Sequence, residues 1–173
     1  SVNYLVNNAG LSLGLEPIHE GDLNDWDTMI DTNIKGLLYV TKIVSNWMVQ
    51  RKQGHIVNLG SIAGKETYAD GNVYCATKHA VDSLNKAMRI DLLPYGIKVT
   101  GIHPGAVETE FSEVRFKGDT KRAKGVYQGF EPLVAEDIAD TIWYCVSRPE
   151  HVNINDLIIM PSAQASTSHL RKY

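Results

Sequence analysis

The chain has 173 residues, of which 43% are apolar and 21% are charged. This length suits one domain with a sizeable core, and the composition is typical of a globular protein rather than a disordered one. The 17 lysines and arginines are balanced by 20 aspartates and glutamates, so the chain has no basic excess and nucleic acid is not an expected partner.

Short runs typical of strands alternate along the chain with longer segments of helical periodicity. Strands are predicted at residues 3–6, 55–59, 97–102 and 156–160. Helices are predicted at residues 34–50, 73–93 and about 138–146, the last of them preceded by two acidic residues that suit a helix N-terminus. This alternation predicts a parallel sheet built from βα units with right-handed crossovers.

Polar, small or chain-bending residues follow three of the predicted strands. They are Asn7–Gly10, Gly60-Ser61 and His103–Gly105. Ligands of parallel sheets bind beyond the carboxyl ends of the strands, where small residues let the backbone approach closely, so we expect the site there. The chain has no GxGxxG phosphate loop: Gly10 and Gly14 follow a strand, but the residues after them do not open a helix.

Tyr74 and Lys78 lie four residues apart in a predicted helix, so both side chains project from one helix face. Ser61 stands just after the preceding strand, and the intervening loop lets it fold back toward Tyr74. A packed tyrosine beside a solvated lysine is the ordinary alternative, but the polar strand ends favour a site. An ammonium about 4 Å from a phenol supplies roughly 4 kcal/mol, enough to bring the tyrosine pKa near neutrality and make it a general base.

These motifs together resemble the signature of short-chain dehydrogenases/reductases. They are NNAG at residues 7–10, Asn33, Ser61, the Tyr74-xxx-Lys78 pair and Pro104-Gly105. The resemblance implies an α/β, Rossmann-like doubly wound parallel sheet that lacks the first strands and the glycine-rich loop, with residues 1–173 as the C-terminal two thirds of a single domain. Residues 59–64, 107–118 and 161–166 further resemble the NADP-dependent 3-hydroxy acid dehydrogenases.

The resemblance implies hydride transfer between NADP, or NAD, and a small 3-hydroxy acid or hydroxy amino acid such as serine or allo-threonine. Tyr74 would be the general base in oxidation, Ser61 would hold the substrate oxygen, and Asn33 would bind a water linking Lys78 to solvent. An asparagine bonded to nearby backbone is the alternative for Asn33. The implied cofactor contacts are Asn8, Ala9, Gly10, Tyr74, Lys78, Pro104, Gly105, Val107 and Thr109.

Residues 108–130, termed here the lid segment, lack a clean period and contain three glycines, which favours a lid over a substrate pocket. Arg115 in this segment is a candidate ligand for a substrate carboxylate, because a guanidinium matches that anion; an ordinary surface arginine is the alternative. None of the six histidines has a metal-ligand spacing, so no metal is expected, and His103 is expected to be structural.

Two other functions fit the same residues. A carbonyl reductase for uncharged ketones would use the same Ser-Tyr-Lys-Asn set with a different pocket. A non-catalytic, truncated interaction module would keep the sheet and helices, and the missing phosphate loop favours it. A serine hydrolase is disfavoured because residues 60–64 do not form G-x-S-x-G.

The predicted helix at residues 34–50 is apolar on more than one face, since Val40, Ile43 and Trp47 form a second stripe. We therefore expect a homo-oligomer, a dimer or tetramer, through this helix, and the family resemblance implies that the helix at residues 73–93 takes part as well. No run long enough to span a membrane and no secretion leader is visible. Cys75 and Cys145 cannot form a disulfide framework, which predicts reduced thiols in the cytoplasm.

Overall fold

A computed structural model describes residues 2–173 of the chain. Four parallel strands form one sheet in the order β1 (Tyr4–Asn7), β2 (His55–Leu59), β3 (Lys98–Pro104) and β4 (Asp156–Ile159). Val6 pairs with Val57, and Ile102 pairs with Leu157. The predicted parallel sheet is confirmed, and each strand lies within two residues of its predicted bounds.

Six α-helices accompany the strands among the described residues. They are α1 (Leu23–Ile30), α2 (Leu37–Arg51), α3 (Asn72–Leu92), α4 (Phe111–Arg115), α5 (Thr120–Val126) and α6 (Ala135–Val146). Short 3₁₀ turns occur at Ile62–Gly64 and Leu93–Tyr95. None of the helices in the described range is long and apolar enough to cross a membrane.

The helix predicted at residues 34–50 begins much earlier than expected, at Leu23. A π-helical segment, Asp31–Gly36, joins α1 to α2. The start was missed because α1 is rich in Asn, Asp and Thr, which have low helix propensity. The Asp22 side chain accepts a hydrogen bond from the backbone N–H of Asn24 and caps this start.

Apolar clusters cover both faces of the sheet. On one face, Val44 and Met48 of α2 and Val81 of α3 pack against Ile56 and Val99. On the other face, α6 contributes its own apolar side chains to a second cluster with the sheet. The fold is therefore the predicted doubly wound α/β arrangement, with helices on both faces of a parallel sheet.

The lid segment is more ordered in its backbone than its sequence suggests, because it contains α4 and α5. The Asp119 side chain caps α5 by accepting from the backbone N–H of Arg122. The Tyr127 hydroxyl donates to the backbone oxygen of Val107 at 2.8 Å, which ties the segment to the end of β3. Both helices are too short to show a periodicity that a sequence reading can detect.

Candidate active site

A cavity of about 740 Å³ opens at the carboxyl ends of β1, β2 and β3. Its lining includes nine of the residues predicted for the site, namely Asn8, Gly10, Ser61, Tyr74, Lys78, Pro104, Gly105, Val107 and Thr109. Ala9, Asn33 and Arg115 do not line it. The volume falls within the range of roughly 300–1,000 Å³ found for small-molecule and cofactor pockets.

Helix α3 and the turn after β2 bring Ser61, Tyr74 and Lys78 together. Ser61 is extended, and its hydroxyl oxygen accepts from the backbone N–H of Ala63, which fixes the side chain at the head of the Ile62–Gly64 turn. Tyr74 and Lys78 are both buried on the same face of α3. The spacing that predicted this juxtaposition thus places all three side chains on one cavity wall.

Burial dominates the electrostatics of the two α3 side chains. Desolvation lowers the pKa of Lys78 to about 8. Desolvation also raises the pKa of Tyr74 above its ordinary value. A hydrogen bond with Ser61 and the charge of Arg115 act in the opposite direction. Lys78 therefore does not lower the pKa of Tyr74 as expected, and its ammonium lies 6.0 Å from the phenol ring centroid.

The Lys78 ammonium has one protein acceptor among the described residues, the backbone oxygen of Leu59 at 3.0 Å. An ammonium has three protons to donate, so two remain available toward the cavity. Gly10 lies against the same group: a Cβ at this position would be 3.5 Å from the Lys78 nitrogen and 3.2 Å from Asn33 Oδ1. Any side chain here would narrow the space beside Lys78, which explains the use of glycine.

Asn33 lies inside the π-helical segment and is 2% exposed. Its Oδ1 accepts from the backbone N–H of Leu11 at 2.8 Å, and its Nδ2 donates to the Leu11 oxygen and to Thr77 Oγ1. The side chain therefore holds the loop after β1 against α3. These contacts are the bonding to nearby backbone that is the alternative for Asn33. Its role in holding a water remains a prediction.

The Pro104-Gly105 turn at the end of β3 is fixed by backbone hydrogen bonds. The N–H of Gly105 donates to the Ile159 oxygen at 2.8 Å, and the N–H of Ala106 donates to Gln164 Oε1 at 2.8 Å. Thr109 follows this turn, and its hydroxyl accepts from the N–H of Phe111 at 3.2 Å. Ala9, also predicted as a cofactor contact, is exposed and lies outside the cavity wall.

Arg115, at the end of α4, contacts Tyr74 and two neighbouring loops but does not line the cavity. Its Nε donates to the Gly14 oxygen at 3.2 Å, and an Nη donates to the Tyr68 hydroxyl at 2.7 Å. Its guanidinium carbon lies 5.6 Å from the Tyr74 ring centroid. These contacts join the lid segment to the loops that follow β1 and β2.

Further residues line the cavity that the sequence reading did not assign to the site. Phe111 and Val114 of α4 and Ile138 and Ile142 of α6 form its apolar wall. The Phe111 and Tyr74 ring centroids are 5.6 Å apart. The i, i+4 spacing on α6 marks an apolar face, but the sequence cannot tell whether such a face packs against the sheet or borders a pocket.

Outside the cavity lining, Asp82, His103 and Asp156 bring three potential metal ligands within 4.8 Å of one another. Lys65 lies between the two carboxylates, donating to Asp82 at 2.8 Å and to Asp156 at 2.5 Å. Lys86 donates to the other oxygen of Asp82 at 2.7 Å. The carboxylates are therefore paired with ammonium groups, and the cluster is an ion-pair network.

A parallel sheet with helices on both faces and a cavity at its carboxyl edge defines the doubly wound α/β class of ligand-binding proteins. Within that class, the chain belongs to the short chain dehydrogenase family, which it matches over residues 1–120.

Three similar proteins make the relationship more specific. The NADP-dependent 3-hydroxy acid dehydrogenase YdfG of Escherichia coli is 50% identical over 95% of this chain, which spans 67% of that protein. An NADP-dependent 3-hydroxy acid dehydrogenase of Schizosaccharomyces pombe is 41% identical over 98% of this chain and 65% of its own length. The solved closed form of a serine dehydrogenase complexed with NADP⁺ matches with a TM-score of 0.94, at 49% identity, over 99% of this chain and 69% of that one.

Proposed function

We propose that this protein is an NADP-dependent oxidoreductase acting on the hydroxyl-bearing carbon of a small 3-hydroxy acid or hydroxy amino acid, such as serine or allo-threonine. The observation that carries the proposal is the convergence of Ser61, Tyr74 and Lys78 on one cavity at the carboxyl edge of the sheet. The likeness to the relatives named for NADP and for 3-hydroxy acids supports both the cofactor and the substrate class. NAD is the alternative cofactor.

The residues present fit the nicotinamide-ribose end of such a cofactor. The two spare protons of Lys78 suit ribose hydroxyls, Gly10 leaves room beside them, and the Pro104-Gly105 turn and Thr109 border the adjoining wall. Asn8 lies on the same wall. When bound there, the nicotinamide accepts or donates the hydride. That residues 1–173 form the C-terminal two thirds of one domain remains a prediction. The 67% of the Escherichia coli relative that the chain spans supports it.

Tyr74 is proposed as the proton-transfer residue. Because burial raises its pKa, the phenol is protonated at neutral pH in the free chain, and it can donate a proton to a carbonyl oxygen during reduction. Alcohol oxidation needs the phenolate, so its rate should increase with pH more steeply than that of reduction. Ser61 lines the same cavity and is proposed to bind the substrate oxygen and hold it near the phenol.

Lys78 and Asn33 are proposed to connect Tyr74 with solvent. The lowered pKa of Lys78 lets the group gain and lose a proton near pH 8, which suits a relay. Both amide protons of the Asn33 side chain are used by Leu11 and Thr77, so we propose that the water of the relay binds a backbone oxygen of the π-helical segment. Such segments leave a backbone carbonyl without its usual helical partner and frequently occur at functional sites.

Arg115 is proposed to interact with the substrate carboxylate when the lid segment closes over the cavity. The guanidinium approaches Tyr74 and retains donors beyond those given to Gly14 and Tyr68. Phe111 and Val114, on the same short helix, close the cavity above Tyr74. The segment would thus supply both an apolar cover and a cation.

The decisive comparison uses oxidation of L-serine, 3-hydroxypropionate and a simple secondary alcohol, followed by absorbance of the reduced nicotinamide. Preference for the first two substrates supports the proposal. Equal rates with the uncharged alcohol would support a carbonyl reductase instead. Turnover of none of the three would support a non-catalytic module.

Tyr74→Phe removes only the proposed proton-transfer group. We expect it to lower kcat by about 10²–10⁴-fold, the usual contribution of general acid–base catalysis, with the fold retained. Tyr95→Phe, at an exposed position after α3, is the matched control and should leave kcat unchanged. A Tyr74→Phe variant with wild-type kcat would contradict the assignment.

A further inference from the structure

A buried histidine outside the cavity wall lies directly behind the turn that carries Ser61. His103, in β3, is 1% exposed. Its Nε2 lies 2.6 Å from Asp156 Oδ1 in β4. Since a carboxylate only accepts hydrogen bonds, Nε2 carries the proton, and Nδ1 is the bare ring nitrogen. Nδ1 is buried and has no hydrogen-bond partner among the described residues.

The imidazole packs against the backbone of Gly60. A Cβ at Gly60 would lie 2.4 Å from His103 Nδ1 and 2.7 Å from its Cε1, so no side chain fits between the ring and this turn. The N–H of Gly60 donates to the Ile102 oxygen at 2.7 Å. Gly60 is flanked by Leu59, whose oxygen holds Lys78, and by Ser61. The ring therefore contacts Gly60, which stands between Leu59, the acceptor for Lys78, and Ser61.

Charged groups from three elements hold the ring in place. Asp156 in β4 binds Nε2, and Asp82 in α3 lies 3.7 Å from it. Lys65, after the Ile62–Gly64 turn, joins the two carboxylates, and Lys86 in α3 binds Asp82. Two cations and two anions balance each other, so a neutral imidazole leaves the network uncharged. Burial lowers the pKa of His103, with Asp156 opposing, which keeps the ring neutral.

We infer that His103 is a positioning residue: clamped by Asp156, its ring supports Gly60 from behind and thereby sets the position of Ser61 relative to Tyr74. The inference rests on the proposed role of Ser61 in the function given above. This role also explains why Nδ1 of His103 is tightly packed and unpaired. A bare Nδ1 can lie against the Gly60 backbone, whereas an N–H at that place would lack an acceptor.

The first test compares His103→Ala with His103→Gln in the full chain. Truncation to alanine should lower kcat about 10- to 100-fold, the effect expected when a reacting group moves by about 1 Å, with the KM for NADP⁺ little changed. Glutamine can still donate from its terminal nitrogen toward Asp156 and fills most of the space, so it should restore most of kcat. Equal kcat in wild type and His103→Ala would overturn the inference.

The pH profile separates positioning from a mere loss of stability. Withdrawal of Ser61 removes an interaction that opposes the rise of the Tyr74 pKa, so the profile of kcat/KM for oxidation should move to higher pH in His103→Ala. His55→Ala is the matched control: His55 is equally buried, also has an unpaired Nδ1, and bonds Thr100 at the opposite end of the sheet. It should destabilise the fold without moving the profile. An unmoved profile in His103→Ala would overturn the inference.

Reciprocal rescue gives a readout that needs no catalysis. Gly60→Ala should strongly lower the denaturant midpoint because its methyl group collides with the imidazole. Combining it with His103→Ala should raise the midpoint above that of Gly60→Ala alone, since the methyl group enters the vacated space. If the two substitutions lower the denaturant midpoint additively, the packing of His103 on Gly60 is overturned. If wild type shows no turnover while the rescue holds, the proposed function fails and the packing of His103 on Gly60 stands.

Discussion

At the scale of single residues, burial rather than spacing determines the chemistry of the candidate site. Tyr74 and Lys78 are adjacent on α3, as their spacing requires, yet both lie beneath neighbouring side chains and both pKa values shift toward the uncharged form. The attraction between an ammonium and a phenolate in the free chain is therefore smaller than the loss of hydration. This balance keeps Tyr74 protonated until ligand or pH changes it.

The lowered pKa of Lys78 should make the free energy of unfolding of the protein without cofactor depend measurably on pH. Its folded pKa of about 8 is below the ordinary 10.5, so between these pH values the unfolded chain binds more protons and stability rises with pH. Below about pH 8, Lys78 is protonated in the folded and unfolded states, and the full free-energy cost of burying its charge lowers the stability. Lys78→Met should be more stable than wild type at pH 7, and that advantage should shrink by up to about 3 kcal/mol by pH 10.5.

Denaturant unfolding of both proteins at the two pH values measures this difference. Lys42→Met, at an exposed position on α2, is the control and should follow wild type at both pH values. A constant difference between Lys78→Met and wild type would show that Lys78 keeps its ordinary pKa in the folded chain.

At the scale of elements, the short helix α4 connects the lid segment to the loops around Tyr74. Arg115 bonds the Gly14 oxygen and the Tyr68 hydroxyl, while Phe111 packs on Tyr74 from the same helix. A shift of α4 would therefore change the cover of the cavity and the charge beside it together. The helix has only five residues, so its position depends on these contacts and not on helix propensity.

Arg115→Ala should raise the KM for a 3-hydroxy acid far more than the KM for an uncharged alcohol, because only the acid offers a carboxylate to the guanidinium. Steady-state kinetics with both substrates measure the two effects. Arg122→Ala is the matched control from α5, since Arg122 stacks on Phe116 away from the cavity and should change neither KM. Equal increases for both substrates would mean that Arg115 only supports the fold.

At the scale of the whole molecule, α2 exposes an apolar stripe that its own sheet does not cover. Leu37, Val44 and Met48 are buried on one side of α2, while Val40, Ile43 and Trp47 are 46%, 55% and 48% exposed on the other. Exposed apolar side chains at helical spacing are typical of protein–protein contacts. We propose that this face, together with α3, joins copies of the chain into a dimer or tetramer.

Ile43→Lys places a charge in the middle of the stripe and should dissociate the assembly. The mass in solution, measured by light scattering or sedimentation, should fall toward that of one chain, because a buried unpaired ammonium is strongly unfavourable. Ile18→Lys, at an exposed position outside α2 and α3, should leave the mass unchanged. A wild-type protein that sediments as a monomer would exclude this interface.

Much of the fold and of the cavity wall follows from local patterns. Short strand-like segments rich in Val, Ile and Leu predict β1 to β4, and the i, i+4 spacing determines that Tyr74 and Lys78 share a face, since both patterns are consequences of backbone geometry. The start of α1 and the short helices of the lid segment were not predictable, because Asp22 and tertiary contacts stabilise them against weak propensity.

By itself the sequence determined the parallel sheet and the placement of Ser61, Tyr74 and Lys78 at its carboxyl edge, because strand ends and helix faces are set by short-range periodicity. The family resemblance came from the motifs themselves. Only the tertiary structure decided that burial raises the pKa of Tyr74, that the Asn33 amide binds Leu11 and Thr77, that Arg115 contacts the Tyr74 ring, and that His103 packs against Gly60. Those properties depend on desolvation and on contacts between residues far apart in the chain, which no local pattern encodes.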